Sequence, residues 1–362
     1  FESQSLMCIF KAMTHKEIAQ PKVTVVIPHW NGWDILEPCL RSLAASTYQN
    51  LKIVVVDNAS SDDSVVLIKQ HFPEVHVFEN TKNLGFAGGC NVGLRSIESD
   101  HYLVLNNDTT HEPDWIGHMV EQIESDPKIA AVQPKIMSAQ NPELFDYAGG
   151  VGGLMDILAF PFALGRIFTT MEKDDGFYDT PRDIFWASGT ALLLRGSALK
   201  EVGLFDEDFF AHMEEIDLCW RLHNASWRVV NAPAAKIYHH SGWTLPPDRY
   251  QKKYLNHRNN LMMLIKNYPT AYLATILPAR IALEGVAFVF SALIGDWKRM
   301  GAIIMALAWN FVHPVMLFNK HMEARKKRAD FAASTTLKRM YGGSIFFQYF
   351  LRGEKRARDI KD

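Results

Sequence analysis

Four short apolar runs, separated by helical patterns, limit what this chain can fold into more than any other feature. They are Val23-Thr24-Val25-Val26-Ile27, Lys52-Ile53-Val54-Val55-Val56, Val75-His76-Val77-Phe78 and Tyr102-Leu103-Val104-Leu105. Each is short and rich in β-branched residues, which reads as a buried strand rather than a core helix. After the first, Ile35, Leu36, Cys39, Leu40 and Leu43 recur at helical spacing; after the second, Ser61-Asp62-Asp63-Ser64 caps a helix to about His71. A glycine-rich turn and short helix, 83–97, precede the fourth. Strands that alternate with helices run parallel, because the crossover returns each strand to the same edge. The expectation is a sheet of the nucleotide-binding type.

Parallel strands bring their carboxyl ends to one rim, where open α/β sheets hold ligands. Asp57 ends the second strand and Asn106-Asn107-Asp108 ends the fourth. Asp108 is a hard oxygen donor for a divalent cation, and such a cation neutralises a diphosphate; an isolated NND is also an ordinary strand-ending turn. Asp57, with Asn58 and Ser60 beside it, either accepts from the imide N–H of a pyrimidine or caps the following helix. The turn Asn83-Leu84-Gly85-Phe86-Ala87-Gly88-Gly89-Cys90-Asn91 offers free amides at a helix start, which suits an anion. It matches neither G-x-G-x-x-G nor a Walker loop and follows the third strand, which disfavours a dinucleotide oxidoreductase.

Beyond Asp108 the rhythm is irregular. We expect a helix over 115–124, a strand over 129–133, a loop from Gly149 through Gly153, and a long strand over 184–195. A helix over 209–224 would carry Phe209, Met213, Ile216 and Trp220 on its core stripe, and short strands near 227–230 and 235–238 would close the domain near Gly242. Glu214, Glu215 and Asp217 crowd one part of that helix and are a source of a general base, although Asp217 and Arg221 also form an ordinary i,i+4 pair. His239-His240 follows a strand, and a neutral imidazole there could complete the coordination of a cation on Asp108.

The composition then changes. Residues 271–295 are apolar yet carry Arg280 and Glu284, and 301–318 are apolar around Asn310, His313 and Pro314. Interrupted runs of this kind read as helices lying in one face of a bilayer rather than clean spans. From Lys320 to Asp362 there are twelve Lys/Arg against five Asp/Glu, leaving 26 against 35 before it, so a tail near +7 follows a body near −9. Lys320, Arg325, Lys326, Lys327 and Arg328 would meet anionic headgroups. Cys8, Cys39, Cys90 and Cys219 lack paired spacing, which points away from a disulfide framework or zinc site.

Taken in order, Val-Ile-Pro-His-Trp-Asn (26–31), Val-Val-Asp-Asn-Ala-Ser (55–60), the turn 83–91, Leu-Asn-Asn-Asp (105–108), Ala-Ser-Gly-Thr-Ala (187–191), Glu-Glu-Ile-Asp-Leu-Cys-Trp-Arg (214–221) and His-His-Ser-Gly (239–242) resemble the inverting family-2 glycosyltransferases, most of all the rhamnosyltransferase-type branch of bacterial surface polysaccharide synthesis. The resemblance runs from about Val23 to Lys266. It implies an α/β GT-A domain, Rossmann-like with a mostly parallel sheet, over 21–245. A leader or expression remnant over 1–20, a connecting helix over 246–270 and a helical membrane-associated region over 271–362 would complete the chain.

The resemblance also implies roles. Pro28, His29, Asn31, Asp57, Asn58, Asn83, Gly85, Gly88, Asn106 and Asn107 would hold the nucleotide-sugar, and Trp186, Ser188 and Gly189 would lie near the donor sugar or acceptor. Asp108 and His239 would hold Mg²⁺ or Mn²⁺. Glu215 would be the base, with Glu214 the alternative and Asp217 nearby. The chain departs from the family twice, with NND replacing two acids of the metal motif and Glu-Glu replacing Glu-Asp. The implied activity is transfer of L-rhamnose from dTDP-rhamnose to a lipid-linked glycan at the cytoplasmic face of the bacterial inner membrane, by a peripheral or monotopic enzyme with no nucleic-acid partner. A galactofuranosyl- or hexosyltransferase using a UDP-sugar and a non-catalytic nucleotide- or glycan-binding scaffold are the alternatives, and the oligomeric state stays open.

Overall fold

The four apolar runs form β1 (Val23–His29), β2 (Leu51–Asp57), β3 (His76–Glu79) and β4 (His101–Leu105), joined by α1 (Trp33–Ala44), α2 (Ser64–His71) and α3 (Gly85–Ser96). They pair in parallel in the order β3-β2-β1-β4. Every residue of β4 is buried, as expected for a strand covered on both faces. Next come β5 (Thr109–His111), α4 (Trp115–Glu124) and β6 (Ile129–Ser138). A small antiparallel sheet follows, built from β7 (Gly153–Met155), β8 (Pro161–Ala163), β9 (Arg166–Ile167) and β10 (Thr170–Met171). Finally β11 (Ala191–Arg195), α5 (Gly196–Val202), α6 (Glu214–Asn224) and β12 (Arg228–His239) complete an eight-stranded sheet of order β3-β2-β1-β4-β11-β6-β12-β5. Only β11 and β5 run against the rest.

This computed structural model describes residues 20–240, 249–327 and 332–360. The leader segment, Ser241-Gly242 with the domain boundary near 245, and Arg328 of the basic cluster lie outside those residues. One apolar layer under the sheet holds Leu36, Leu40, Ile68, Trp115, Met119 and Ile123; the opposite layer holds Cys90, Leu94, Phe209, Trp220 and Leu222. Trp115 and Trp220 are fully buried, and truncating either to alanine would cost about 3–5 kcal/mol. Cys39, Cys90 and Cys219 are buried and free.

The second half departs from the pattern in four places. The long strand expected over 184–195 forms only at Ala191–Arg195, because the preceding segment bends so that Gly153 packs directly on the Trp186 ring; a Cβ on Gly153 would stand 1.8 Å from it. The helix expected from Phe209 begins at Glu214, since Phe210, His212 and Met213 adopt positive φ. The glycine stretch and its following apolar segment lead into the small sheet rather than a loop. Two expected short strands are one, β12, with an irregularity between Ala232 and Lys236.

Among the described residues the helices α7 (Tyr250–Asn267), α8 (Thr270–Leu293), α9 (Trp297–Val312), α10 (Pro314–Lys326) and α11 (Ala332–Lys338) come next, followed by short helical turns. Met262, Met263 and Leu264 of α7 belong to the same apolar cluster as Trp220, so this helix packs into the α/β body. Helix α8 is inside-out: its buried residues are Arg280, Glu284 and Ser291, while Val286, Val289, Phe290 and Leu293 are exposed. Arg280 Nη1 pairs with Glu284 Oε1 at 2.6 Å, and His257 Nδ1 of α7 meets Glu284 Oε2 at 2.6 Å. Pro314, which cannot continue a helix from α9, starts α10 after a bend of 74°.

Candidate active site

The ends of β1 and β2 assemble the first part of the rim. Asp57 accepts from the Ser60 amide at 3.1 and 3.3 Å through its two oxygens, bracing the loop after β2 rather than capping α2, which starts at Ser64. Asn58 is buried, donating to Gly85 O at 3.1 Å and accepting from Asn80 Nδ2 at 3.0 Å. Asn31, in a left-handed conformation, accepts from the Ser61 amide at 2.8 Å. His29 Nδ1 lies 2.9 Å from Asn107 Nδ2, which donates to it. Burial lowers the His29 pKa against the pull of Asp57 and Asp62, leaving a neutral ring. The structure thus gathers His29, Asn31, Asp57, Asn58 and Asn107, with Pro28 behind them.

The glycine turn is packed more tightly than an open anion cradle. Asn83 Oδ1 accepts from Gly85 N at 2.8 Å, and Phe210 O accepts from Ala87 N at 3.2 Å, so these amides are already satisfied. Gly85, at φ +72°, would put a Cβ 2.3 Å from Phe210 O; a Cβ on Gly89 would stand 2.8 Å from Asn58 Nδ2, and one on Gly88 would stand 2.7 Å from Leu84 Cβ. The glycines here let three segments approach each other, a correction to the free amides expected from the sequence.

Asp108 and His239 are held together by sheet pairing. Immediately after Asp108, β5 pairs antiparallel with the end of β12, matching Thr109 with His239, and His240 N donates to Asp108 O at 2.9 Å. His239 Nε2 lies 3.1 Å from Asp108 Oδ1 and Nδ1 lies 2.7 Å from Asp146 Oδ1. Burial opposes protonation of this ring, but the two carboxylates overcome it and raise the pKa to about 10. The ring therefore sits between two buried carboxylates, with Asp146 fixing it from behind. A carboxylate behind an imidazole is the kind of support that orients a metal-ligating histidine. No group of three or more His, Cys, Asp or Glu able to hold a metal occurs among the described residues. Two protein donors suit a cation that takes its other positions from phosphate oxygens and water, so the residues fit Mg²⁺ or Mn²⁺. Asp146 was missed in the sequence; an acid three residues before Gly149-Gly150 was its only signal.

The third part of the site lies on α6. Asn106 N donates to Thr190 O at 2.9 Å, tying the NND run to the segment Ser188-Gly189-Thr190. A Cβ on Gly189 would stand 3.1 Å from the Phe86 ring and 3.9 Å from Glu215 Cβ, so this glycine leaves a floor open beside Glu215. Burial raises the Glu215 pKa to about 7, opposed by nearby backbone amides, and its Oε2 has no partner among the described residues. Glu214 is more deeply buried, and burial, Glu215 and Asp217 together hold its pKa well above the carboxylate range. Of the two, Glu215 changes protonation near neutrality.

Three residues of the expected site are otherwise engaged. Asp217 is fully buried, accepting from Arg221 Nε at 2.9 Å, Lys266 Nζ at 2.8 Å and Asn267 Nδ2 at 2.7 Å. Despite burial, Lys266 and Arg221 hold its pKa down. It is an anion fixed in an ion network, a structural part rather than a basic one. Trp186 is buried against Gly153 with Nε1 donating to Leu154 O at 2.9 Å. Ser188 is buried, its amide donating to Gln133 Oε1 at 2.6 Å and its hydroxyl to Ala148 O at 2.5 Å. Gly189, also buried, lies between Phe86 and Glu215. His212, which sequence reasoning did not single out, is a neutral ring with its pKa lowered by burial to about 4, and its Nε2 has no partner among the described residues.

A cleft of about 590 Å³ lined by Lys22, Asp100, His101, Arg195 and Lys200 opens at the opposite edge of the sheet. It lies at the amino ends of β1 and β4, away from the rim that holds ligands in this class of sheet.

Residues 24–195 match the family described as glycosyl transferase family 2. The N-acetylglucosaminyl-diphospho-decaprenol L-rhamnosyltransferase of Mycobacterium tuberculosis is 26% identical over 281 residues, 73% of this chain and 92% of that protein. The poly-beta-1,6-N-acetyl-D-glucosamine synthase of Staphylococcus aureus is 25% identical over 229 residues, 62% of this chain and 50% of that protein. Among solved structures, GalNAc-T7 with UDP, GalNAc and Mn²⁺ is similar at a TM-score of 0.56 and 16% identity, over 68% of this chain and 48% of that one. The mannosyltransferase PcManGT from Pyrobaculum calidifontis, solved with GDP-Man and Mn²⁺, is similar at 0.50 and 15% over 92% of this chain and 94% of that one. The structural likenesses establish the GT-A type of fold.

Proposed function

On the premise that this chain is a family 2 glycosyltransferase with a GT-A fold, we propose that it is a membrane-associated inverting enzyme that moves L-rhamnose from dTDP-L-rhamnose to a lipid-linked glycan. The observation that carries the reading is Glu215, a largely buried carboxyl whose pKa burial raises to about 7, joined through Gly189, Thr190 and Asn106 to the rim that holds Asp108 and His239. A group that titrates near the working pH is a base with both a useful population and a useful driving force.

The charge accounting follows. Glu215 takes the proton of an acceptor hydroxyl as its oxygen attacks the anomeric carbon, and the bond to the diphosphate breaks on the opposite face, which inverts the centre. Asp108 and His239 would hold Mg²⁺ or Mn²⁺, which when bound neutralises the leaving diphosphate. Asp146 keeps His239 turned toward that position. His29, Asn31, Asp57 and Asn58 line the place for base and ribose.

The inside-out helix α8 supports docking at the bilayer, with its polar face on the protein and its apolar face outward. The likeness to a rhamnosyltransferase that acts on a diphospho-decaprenol carrier supports the donor and acceptor class. We place the enzyme at the cytoplasmic face of the inner membrane, where nucleotide-sugars are made.

The test is incubation with Mn²⁺, a short-chain polyprenyl diphosphate N-acetylglucosamine and, in parallel, dTDP-L-rhamnose, UDP-galactofuranose and UDP-hexoses. Product with the first donor is expected, and Glu215→Gln should abolish it while keeping donor binding. Turnover with UDP-sugars alone would transfer the reading to a hexosyl- or galactofuranosyltransferase. Donor binding without turnover for every pair would favour a scaffold.

A further inference from the structure

Phe210, His212 and Met213, three of the four residues before Glu214, have φ of +66°, +69° and +74°. Residues with a Cβ rarely adopt that region, and such a run persists only where its surroundings over-determine it. Those surroundings come chiefly from α7. Asn259 is fully buried, and its Nδ2 lies 3.0 Å from Phe209 O, 2.9 Å from Ala211 O and 2.7 Å from His212 O. Its Oδ1 accepts from Arg258 Nε at 2.7 Å. The amide cannot be turned over, because an oxygen facing three carbonyls would be unpaired. Arg258 Nη2 reaches the same turn, donating to Asp208 O at 2.8 Å and Phe209 O at 3.0 Å.

A helix running on from Phe209, as the apolar spacing suggests, would have satisfied these carbonyls by itself. The protein instead commits a buried amide and a guanidinium to keep them out of a helix. On its other side the turn meets the donor half of the site, with Phe210 O accepting from Ala87 N at 3.2 Å. Its last residue, Met213, is the N-cap of α6, whose first two residues are Glu214 and Glu215.

We propose that Asn259, oriented by Arg258, is a positioning residue for the general base: it holds the turn 209–213 in the left-handed conformation that directs Glu215 past Gly189 toward the acceptor hydroxyl. The inference rests on Glu215 being the base. It extends the site to α7, a helix outside the stretch 24–195 that matches the family.

The measurement is steady-state transfer from dTDP-L-rhamnose to the polyprenyl acceptor across pH 5.5 to 9 for the parent enzyme, Asn259→Ala, Arg258→Lys and Glu215→Gln. For Asn259→Ala, kcat should fall roughly 10- to 100-fold, the cost of a misplaced catalytic group, with donor KM within about threefold. The acid limb of kcat/KM should move to lower pH as the carboxylate becomes wetter. A purely structural residue would lower Tm and leave that limb in place. A kcat within about twofold of the parent, or an unmoved limb, would overturn the proposal. Should Asn259→Ala fail to fold, Arg258→Lys keeps the stem and charge while losing the fork, and the same two changes are required of it. Parental turnover by Glu215→Gln would overturn the base and the clamp together, whereas an inactive Glu215→Gln beside fully active clamp variants would sink only the clamp.

Discussion

Glu215 takes up a proton only because it is kept mostly out of water, and that condition has two measurable consequences of opposite sense. Its pKa is raised by burial to about 7, so the ionised, reactive form dominates above that value; kcat/KM should climb about tenfold per pH unit below it and level off above. Stability runs the other way. A carboxyl whose folded pKa exceeds its unfolded one, about 4.3, binds its proton more tightly when folded, so its contribution is full below pH 4 and is lost as pH rises through 7. At about 1.4 kcal/mol per unit that loss is at most ~4 kcal/mol, less once solvent screening is counted. Glu215→Gln should therefore melt several degrees above the parent at pH 8.5, with the gap closing toward pH 4; a gap independent of pH would refute the burial argument. For Asp108 the expected result concerns binding: Asp108→Ala should lose the extra thermal stabilisation that Mn²⁺ adds to dTDP-L-rhamnose. Equal Mn²⁺-dependent shifts in the two proteins would remove Asp108 from the metal site. At this scale Asp108, His239 and Glu215 were legible because acids and imidazoles at strand and helix ends stand out against apolar runs. Asp146 and Asn259 were not, since neither lies on a periodic pattern and each acts through a partner remote in sequence.

Elements were legible where a pattern answers to its own neighbours and illegible where a remote contact overrides it. The first four strands and their crossovers follow directly from their apolar runs, because continuous burial on both faces needs nothing else. The stripe Phe209, Met213, Ile216 and Trp220 is a sound helical signal, yet the helix begins at Glu214 because hydrogen bonds from α7 outweigh local propensity. The expectation that Trp186 lies near the donor sugar or acceptor arises for want of any sign in the sequence that Gly153 would cover it. That contact makes an element-level prediction. With a Cβ only 1.8 Å from the indole, Gly153→Ala must displace Trp186 or β7. An overpacked core of this kind costs typically about 1–3 kcal/mol, and Ser188-Gly189, immediately after Trp186, should shift with it. A lowered Tm, a changed tryptophan emission and reduced kcat are expected together; an unchanged melt would mean that Trp186 is not held against β7.

The whole molecule is a charged catalytic body seated on an apolar helical platform, and the two are joined through buried ion pairs rather than a linker. Lys320 of α10 contacts Asp206 and Asp208, and Lys266 of α7 bridges Asp206 to Asp217 of α6. Burial alone would raise the Asp206 pKa, but the two lysines hold it far below the carboxylate range, so Asp206 stays ionised at any physiological pH. A platform tied this firmly presents one fixed surface, on which Leu293 is 80% and Phe311 84% exposed. Sinking each such side chain into a bilayer would be worth about 1.5–3 kcal/mol, and basic residues of the tail outside that ion network would add headgroup attraction that salt screens. Vesicles containing anionic lipid should therefore retain the protein partly at high salt, the salt-sensitive fraction reporting the tail and the remainder the apolar face. The double substitution Leu293→Lys and Phe311→Lys should lower the salt-resistant fraction at least tenfold without shifting Tm, because neither side chain packs on the body. Transfer to a polyprenyl acceptor in vesicles should fall with it, while transfer to a detergent-soluble short-chain acceptor stays at the parental rate. Equal losses on both acceptors would mean that the substitutions reach the active site through the ion network, and that the platform serves the fold rather than the membrane.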